Sequence, residues 1–193
     1  MSPPELMFWL LIYNLAQSLP IIFVPMDVRR QEQIRGAAAR AAQLCGRLNC
    51  AVNCAGIGGA RAETADYPDD VWNQVLAVNL TGVFHCMKQQ QLAVMLPQGS
   101  GAIVNVASVA GVSGFARHCA YTASKHGMVG VTKVAAIEYG RRRIRVNAVF
   151  PGFTRTPMVE EMLRNRPGLE ERLEARMPIG RFGTPEEIAR AIL

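Results

Sequence analysis

The cysteines of this 193-residue chain lack the spacing that metal sites and disulfide frameworks use. There are five of them, an odd number, and no two are arranged as CxxC. A zinc site and a disulfide framework are therefore both disfavoured, no metal is predicted, and a reducing, cytoplasmic location is expected. Cys50 and Cys54 have apolar neighbours, which predicts that both thiols are buried.

Charged residues are also sparse, at 19% of the chain against 50% hydrophobic residues. This balance excludes a disordered chain and predicts one globular domain. The net charge of +6 favours anionic ligands. The basic residues are scattered apart from the run RRRIR at 141–145, which we interpret as an exposed helix end with the next strand beginning inside it. Aromatic residues do not interleave this run, so nucleic-acid binding is only the less favoured alternative.

The beginning of the chain lacks glycine, since the first one is Gly36. Residues 6–24 are strongly apolar, as a signal-like or anchoring segment would be. Glu5 precedes this stretch, no basic residue does, and polar residues and Pro20 interrupt it. A buried helix followed by a buried strand is the favoured interpretation, with an anchor as the alternative.

Short apolar runs alternate with segments of helical periodicity along the rest of the chain. Strands are predicted at 21–24, 48–53, 102–107 and 144–150, with helices over 28–45, from Pro68 through Leu96 until Pro97 ends the pattern, and around Tyr121 as far as Gly140. This alternation predicts βαβ units and a parallel sheet. Ligands bind at the carboxyl edge of such sheets, where the stretches NCAG, ASVAG and PGFTRT lie.

Tyr121 precedes Lys125 by four residues, so the two share one face if the segment is helical. A phenol has a pKa near 10, and a neighbouring ammonium lowers it, which would suit acid–base chemistry. On this pair alone, an amphipathic helix with a solvated lysine is the favoured interpretation.

Six ordered motifs together make the chain resemble the short-chain dehydrogenase/reductase family over residues 21–193. They are Asp27, NCAG at 53–56, VNLTGVF with Asn79, IVNVASVAG with Ser108, YTASK, and VNAVFPGFTRTPM followed by PIGRFGTPEEIA. The resemblance implies an α/β fold with a Rossmann-like doubly wound parallel sheet and helices on both faces, incomplete at both ends. Residues 1–20 form an apolar N-terminal segment for which we find no counterpart.

The resemblance also implies a hydride transfer between NAD or NADP and a secondary alcohol or ketone. Tyr121 would exchange the proton, Lys125 would lower its pKa and bind the nicotinamide ribose, Ser108 would hold the substrate oxygen, and Asn79 would support a proton relay. The residues implied in cofactor binding are Asp27, Asn53, Ala55, Gly56, Tyr121, Lys125, Pro151, Gly152, Thr154 and Thr156. Simpler roles remain open: Ser108 could cap a turn, Asn79 could satisfy a bent helix, and Asp27 could be a helix N-cap.

The chain departs from the family pattern at its beginning, where the glycine-rich loop T-G-x-x-x-G-x-G is missing, and at its end, which precedes the last strand. We therefore expect a truncated member that binds NAD(P) poorly, with residues 21–24 or the apolar stretch MFWLLIY pairing with strand 48–53. The alternative function is a catalytically silent homologue that acts only through subunit association. Substrate, direction and cofactor preference are not readable from the sequence.

Two structural expectations follow from the resemblance. Ser108, Tyr121 and Lys125 should converge at the carboxyl edge of the sheet, with the two hydroxyl oxygens within reach of a hydrogen bond or of one bridging water. The helices containing Asn79 and Tyr121 should pair with their copies in a homodimer, through Val83, Met87, Ala123, Gly127 and Val131.

Overall fold

The computed structural model describes residues 23–164 and 166–193, which contain a three-stranded parallel sheet. Its strands are β1 (Cys50–Asn53), β2 (Gly101–Val106) and β3 (Ile144–Val149), in the order β1-β2-β3. Asn53 lies beside Asn105, and Asn105 lies beside Ala148. Since all three strands run in one direction, the loops that follow them meet at a single edge. The strands predicted near residues 48–53, 102–107 and 144–150 are thus confirmed.

Eight α-helices surround or follow these strands in the described residues. They are α1 (Gln31–Cys45), α2 (Asp69–Leu76), α3 (Val83–His85), α4 (Ala93–Gln98), α5 (Cys119–Tyr139), α6 (Pro157–Leu163), α7 (Leu169–Glu174) and α8 (Pro185–Ile192). Two π-helical segments, Ala77–Gly82 and Cys86–Leu92, join α2, α3 and α4 into one continuous helix over residues 69–98.

Glycines end the first two long helices. Gly46 follows α1 in the left-handed conformation with φ 67°, as the sequence predicts. The end of the helix over residues 69–98 is different from the prediction, because Pro97 lies inside α4 rather than stopping it. Gly99 stops it instead, with φ 72° and its N–H donating to the Met95 oxygen at 2.9 Å. A proline near the last turn is tolerated here because the chain leaves the helix two residues later.

The main core lies between one face of the sheet and the long helices. Ala51, Ile103 and Ile144 point from the strands towards Met95 and Met128, all within one apolar cluster. The strand residues between them point the other way, and those that are exposed include Cys50, Val52, Arg145 and Asn147. Burying the apolar face of three strands against two helices is the main contribution to the stability of this part of the fold, and it fixes the position of the carboxyl edge of the sheet.

The alternation of β1 also corrects the prediction for its cysteines. Cys50 and Cys54 are both exposed, whereas Cys86 is buried. Successive strand residues point to opposite faces, so placing Ala51 and Asn53 in the core turns Cys50 outward. Apolar neighbours in sequence do not identify which of the two faces is covered.

The strand predicted at 21–24 is not present in its described part, because Phe23 and Val24 lie outside any strand. Val24 packs instead against an apolar cluster that contains Val28, Ile34 and Val78. β-branched residues favour strands only where a neighbouring strand provides pairing and packing, and within the described residues β1 pairs with β2 alone. The stretch MFWLLIY and residues 21–22 lie outside the described residues.

The predicted dimer residues are largely used inside the subunit. Val83 and Met87 are each only 2% exposed and belong to the main core. Gly127 of α5 faces Leu80 so closely that a Cβ on the glycine would lie 2.8 Å from a Leu80 methyl group. Val83, Met87 and Gly127 thus hold α5 against the helix over residues 69–98, and the homodimer itself stays a prediction. None of the described helices combines the length and apolarity that crossing a membrane requires.

Candidate active site

Ser108 lies just beyond β2, where it both caps a turn and contacts the candidate acid. Its Oγ accepts a hydrogen bond from the Ala110 N–H at 3.1 Å, at the start of the short 3₁₀ turn Val109–Gly111. Its hydroxyl also lies close enough to the Tyr121 phenol to act to lower the pKa of Tyr121. The capping role and the proximity to Tyr121 thus coexist, since a hydroxyl can serve more than one partner.

Lys125 lies one turn after Tyr121 on α5 and is almost completely buried, with 4% of its surface exposed. Its Nζ donates to the Val106 main-chain oxygen at 2.8 Å and lies 5.6 Å from the centroid of the Tyr121 ring. Burial disfavours the charged form and lowers the pKa of Lys125 to about 8. This excludes a solvated lysine on an amphipathic helix.

The pKa of Tyr121 is raised rather than lowered in this structure. Burial is the largest cause, and the nearby Ser108 hydroxyl opposes it. The sequence predicts the opposite direction, because the neighbouring Lys125 ammonium would lower the pKa of Tyr121. Here that ammonium makes its hydrogen bond with Val106, so desolvation of the phenol dominates and Tyr121 is protonated at neutral pH.

Asn79 lies in the π-helical segment Ala77–Gly82 and is fully buried. Its Oδ1 accepts from the Ile57 N–H at 2.8 Å, and its Nδ2 donates to the Ile57 oxygen at 2.9 Å and to Ser124 Oγ at 3.2 Å. The side chain therefore ties the loop after β1 to the long helix and to α5. It does not satisfy backbone groups of its own helix, the simpler role considered from the sequence.

Gly56 brings this loop against the candidate catalytic residues. A Cβ on Gly56 would lie 3.6 Å from Asn79 Oδ1 and 3.7 Å from Lys125 Nζ. Ala55, beside it, is buried in the cluster around Val28. The absence of a side chain at residue 56 thus leaves the region between Asn79 and Lys125 accessible to a ligand.

Two residues at this site were not identified from the sequence. Ser124 is buried, donates from Oγ to the Tyr121 main-chain oxygen at 2.7 Å and accepts from Asn79 Nδ2. Its place between Tyr121 and Lys125 in YTASK is the signal that could have identified it. Cys54, where the family motif has asparagine, interacts electrostatically with both Tyr121 and Lys125.

Asn53 points away from these residues into a buried polar network. Its Nδ2 donates to Asn105 Oδ1 at 2.7 Å and to Gln91 Oε1 at 3.1 Å, while its Oδ1 accepts from Gln91 Nε2 at 2.7 Å. Asn105 continues to Thr132 Oγ1 at 2.8 Å. The network joins β1, β2, α5 and the helix over residues 69–98. Any contact of Asn53 with a cofactor therefore falls to its main chain.

Asp27 lies before α1 and is paired with Arg29. The Arg29 Nη2 contacts Asp27 Oδ2 at 2.7 Å, and the Arg29 N–H donates to Asp27 Oδ1 at 2.9 Å. These bonds hold the pKa of Asp27 below its ordinary value. The N-cap of α1 is Arg30, so the alternative in which Asp27 caps the helix is wrong.

The segment after β3 follows the same edge of the sheet. The Pro151 oxygen accepts from the Val109 N–H at 3.1 Å, which links this segment to the turn after Ser108. Gly152 and the buried Thr154 come next. Thr154 forms an isolated parallel β-bridge with Gly183, and Thr156 is the N-cap of α6. The motif residues after all three strands are thereby brought together, and Asp27 lies on a separate segment before α1.

The residues at this edge fit the nicotinamide end of a dinucleotide. Tyr121 and Lys125 present a hydroxyl and an ammonium beside Gly56, where a Cβ would come into ordinary contact with Lys125 Nζ. Among the described residues, no group of three or more His, Cys, Asp or Glu side chains could hold a metal ion. The side chains that meet at this edge carry hydroxyl, amide and ammonium groups.

Known proteins match this chain over most of its length. The family model described as Enoyl-(Acyl carrier protein) reductase matches residues 11–193. The 2,5-dichloro-2,5-cyclohexadiene-1,4-diol dehydrogenase of Sphingobium indicum is 42% identical over 165 residues, which cover 86% of this chain and 66% of that enzyme. The chain thus spans just under two thirds of that relative.

Solved structures with the same fold carry nicotinamide cofactors. Actinorhodin polyketide ketoreductase with NADPH superposes with a TM-score of 0.79 and 40% identity, covering 86% of this chain and 67% of that one. NAD+-bound xylitol dehydrogenase superposes with a TM-score of 0.80 and 31% identity, covering 87% of this chain and 69% of that one. The Rossmann-like parallel α/β fold expected from the sequence is confirmed by these similarities.

Proposed function

The chain belongs to the short-chain dehydrogenase/reductase family, and we propose that it is an NAD(P)-dependent oxidoreductase acting on a secondary alcohol or ketone. The observation that carries this proposal is that the Ser108 hydroxyl lies close enough to the Tyr121 phenol to lower its pKa, with Lys125 one turn along the same helix. These are the groups that proton transfer to a carbonyl oxygen requires.

In carbonyl reduction, Tyr121 is the general acid and Ser108 is the second hydrogen-bond donor to the substrate oxygen. Two donors at that oxygen stabilise the negative charge that develops on it. Because the pKa of Tyr121 is raised, the phenol carries its proton at neutral pH and is ready to donate it. When bound, the nicotinamide of NAD or NADP supplies the hydride in this direction and accepts it in the other.

Lys125 and Asn79 act around this pair. The Lys125 ammonium stabilises the phenolate that Tyr121 becomes after donating its proton, and it would hold the nicotinamide ribose. Asn79 fixes the loop of Ile57 and Gly56 beside Lys125 through its hydrogen bonds with Ile57. This arrangement supports a route by which the proton lost from Tyr121 is replaced through Lys125.

The cofactor is NAD or NADP, a proposal supported by the nicotinamide cofactors in the solved relatives. The residues that would hold it are those at the carboxyl edge: the main chain at Asn53, Ala55 and Gly56, the side chains of Tyr121 and Lys125, and the segment of Pro151, Gly152, Thr154 and Thr156. Asp27 would face the adenine. Its main-chain N–H donates to Gln33 Oε1 at 2.7 Å and both carboxylate oxygens accept from Arg29, so that contact would use the acceptor capacity that remains on the carboxylate.

Subunit association is the second function for which a specific observation exists. Phe84 beside α5, and Val134 and Ile137 on α5, are large apolar side chains that remain exposed, Ile137 by 82%. We place a homodimer contact on the outer surface of these two helices, in a cytoplasmic protein without nucleic-acid partners. A chain that associated through this surface and bound no cofactor would be the catalytically silent alternative.

Two measurements on the purified chain separate these functions. Titration calorimetry with NADH and NADPH tests the cofactor site directly, and turnover of NADPH or NADH with cyclic and open-chain ketones tests the chemistry. Binding together with turnover that Tyr121→Phe abolishes supports the oxidoreductase. Absence of binding for both cofactors, with a dimer in light scattering that Ile137→Asp dissociates, supports the silent homologue instead.

A further inference from the structure

Arg155 gathers three carboxylates from the two helices that follow it. Its Nη1 lies 3.4 Å from Glu160 Oε1 on α6, and its Nη2 lies 3.9 Å from Glu174 Oε1 on α7. The same Nη2 forms a closer ion pair with Glu170, also on α7. We call these four residues the Arg155 cluster. One guanidinium is therefore the common partner of both helices.

The other side of Arg155 connects to the loop that contains Ser108. Its guanidinium lies 5.7 Å from the centroid of the buried Phe182 ring. Phe182 stacks on Phe153 with centroids 5.5 Å apart, and Phe153 meets Phe115 edge-on at 6.4 Å. Phe115 lies in the loop between Ser108 and Tyr121. The cluster is thus in contact, through three aromatic rings, with the loop that positions the candidate catalytic residues.

The start of α6 and the chain just after the end of α7 both lie against the loops that follow the strands at the carboxyl edge of the sheet. Met158, on α6, places its Sδ 3.7 Å from the position of a Cβ on Gly58, in the loop after β1. Met177, just after α7, places its Cε 3.9 Å from that position on Gly152, after β3. A substrate approaching Tyr121 from this side therefore meets two methionines, flexible side chains that adapt to apolar groups.

We propose that Arg155 is a positioning residue, which holds α6 and α7 closed over the site so that an alcohol or ketone enters when the Arg155 cluster opens. The role in substrate entry rests on the proposed function. The closing role itself depends only on the contacts of Arg155, Glu160, Glu170 and Glu174.

Removing Arg155 should loosen the packing of α6 and α7 more than the loss of an ordinary surface ion pair would, because it leaves several carboxylates without their shared partner. An isolated exposed pair contributes little to stability. Here three carboxylates face one cation, so loss of Arg155 leaves three negative charges that repel one another across α6 and α7. Lysine is a poor substitute for Arg155. Its single ammonium lacks the planar group that binds several carboxylates at once, and it lacks the flat surface that the guanidinium places over Phe182.

Hydrogen–deuterium exchange on the ligand-free protein tests the closing role without requiring activity. In Arg155→Gln, peptides from α6 and α7 should exchange roughly ten-fold faster than in the unmodified chain, while α5 is unchanged. Arg164→Gln is the matched control, because Arg164 pairs with Glu161 inside α6 at 2.6 Å and joins no second helix. High salt should accelerate exchange of α6 and α7 in the unmodified chain and slow it in Arg155→Gln, where it screens the repulsion among the three carboxylates.

Unchanged exchange in α6 and α7 of Arg155→Gln would overturn the proposal, as would equal acceleration throughout the chain. The kinetic measurement tests entry: KM for the ketone should rise roughly five-fold in Arg155→Gln with kcat within about two-fold, and Arg155→Lys should restore part of the loss. A selective exchange change with unchanged KM would refute the role in entry. Absence of turnover in the unmodified chain would count against the proposed function, and exchange would still decide the closing role.

Discussion

The Nζ atom of Lys125 donates a hydrogen bond to the Val106 main-chain oxygen at 2.8 Å, so the last residue of β2 fixes the ammonium at the edge of the sheet. This bond compensates part of the cost of burying a charge. It also explains why Lys125 does not bond directly to Tyr121, although the two lie one turn apart on α5.

Lys125→Met should raise the stability of the ligand-free chain while removing its activity. Burial lowers the pKa of Lys125 from 10.5 to about 8, so the charged form is penalised in the folded state at neutral pH. Below about pH 8 the penalty is complete; between pH 8 and 10.5 the unfolded chain binds more protons, so stability rises with pH and the penalty disappears. We expect a gain of roughly 1–3 kcal/mol in the free energy of unfolding at pH 7, less the cost of an unpaired Val106 oxygen.

Urea denaturation of both proteins at pH 7 and pH 10 measures this effect. The difference in the free energy of unfolding between Lys125→Met and the unmodified chain should be smaller at pH 10 than at pH 7. A difference that stays constant or grows would contradict the assignment of Lys125 as a buried cation with a lowered pKa.

Carbonyl reduction should decline as the pH rises through about 8. Lys125 loses its charge there, whereas Tyr121, whose pKa burial raises, keeps its proton. The profile of kcat/KM reports groups of the free enzyme and is the quantity to measure. If kcat/KM instead declines only at the much higher pH at which Tyr121 loses its proton, Lys125 is not needed as a cation.

Two glycines of α5 should respond in opposite directions to alanine. A Cβ on Gly127 would lie 2.8 Å from a Leu80 methyl group, whereas Gly130 has no atom within 4 Å of that position. Gly127→Ala should therefore lower stability by about 1–3 kcal/mol through overpacking, and Gly130→Ala should raise it by up to about 1 kcal/mol through helix propensity. Thermal denaturation of the two variants compares them, and similar melting temperatures would contradict the close packing of α5 on Leu80.

Gly56→Ala should weaken cofactor binding with little effect on folding. The added methyl group would make ordinary contacts with Asn79 Oδ1 and Lys125 Nζ at 3.6 and 3.7 Å, so the free energy of unfolding should change by less than about 0.5 kcal/mol. Affinity for NADPH or NADH should fall roughly ten-fold because the methyl group occupies the approach to Lys125. Calorimetric titration decides this; unchanged affinity would place the nicotinamide end elsewhere.

The buried amide network should be costly to interrupt at Gln91. Gln91 and Asn53 exchange two hydrogen bonds, and neither side chain reaches solvent to an appreciable extent. Gln91→Leu leaves the Asn53 oxygen unpaired, which should cost about 1–3 kcal/mol. Gln89→Leu, on the more exposed part of the same helix, is the control and should change stability by less than about 0.5 kcal/mol. Equal effects of the two substitutions in urea denaturation would contradict the role of the network.

The sequence predicts the three strands and the helix of Tyr121 because apolar periodicity determines them directly, and the resemblance to the family implies that Ser108 meets Tyr121. It does not predict which face of β1 is covered, so Cys50 and Cys54 were placed incorrectly. The direction of the Tyr121 pKa was also missed, since it depends on how far the phenol is buried and on where the Lys125 ammonium points. Both properties arise from packing between distant segments, which no local pattern records.

The homodimer stays a prediction, and the sequence does not identify its contact residues. Helical periodicity marks Val83 and Met87 as apolar, and it does not distinguish a face that meets the chain's own sheet from one that meets a second subunit. The exposed Val134 and Ile137 are the residues that the structure leaves for such a contact.

The most direct test of the account is ketone-dependent oxidation of NADPH or NADH by the purified chain, compared with Tyr121→Phe and Ser108→Ala. We expect turnover by the unmodified chain, a loss of 10²-fold or more, in order of magnitude, when the phenol proton donor is removed, and a smaller loss with Ser108→Ala. Circular dichroism should show that both variants keep the fold. Turnover that persists undiminished in Tyr121→Phe would contradict the assignment of Tyr121 as the proton donor, and with it the central claim.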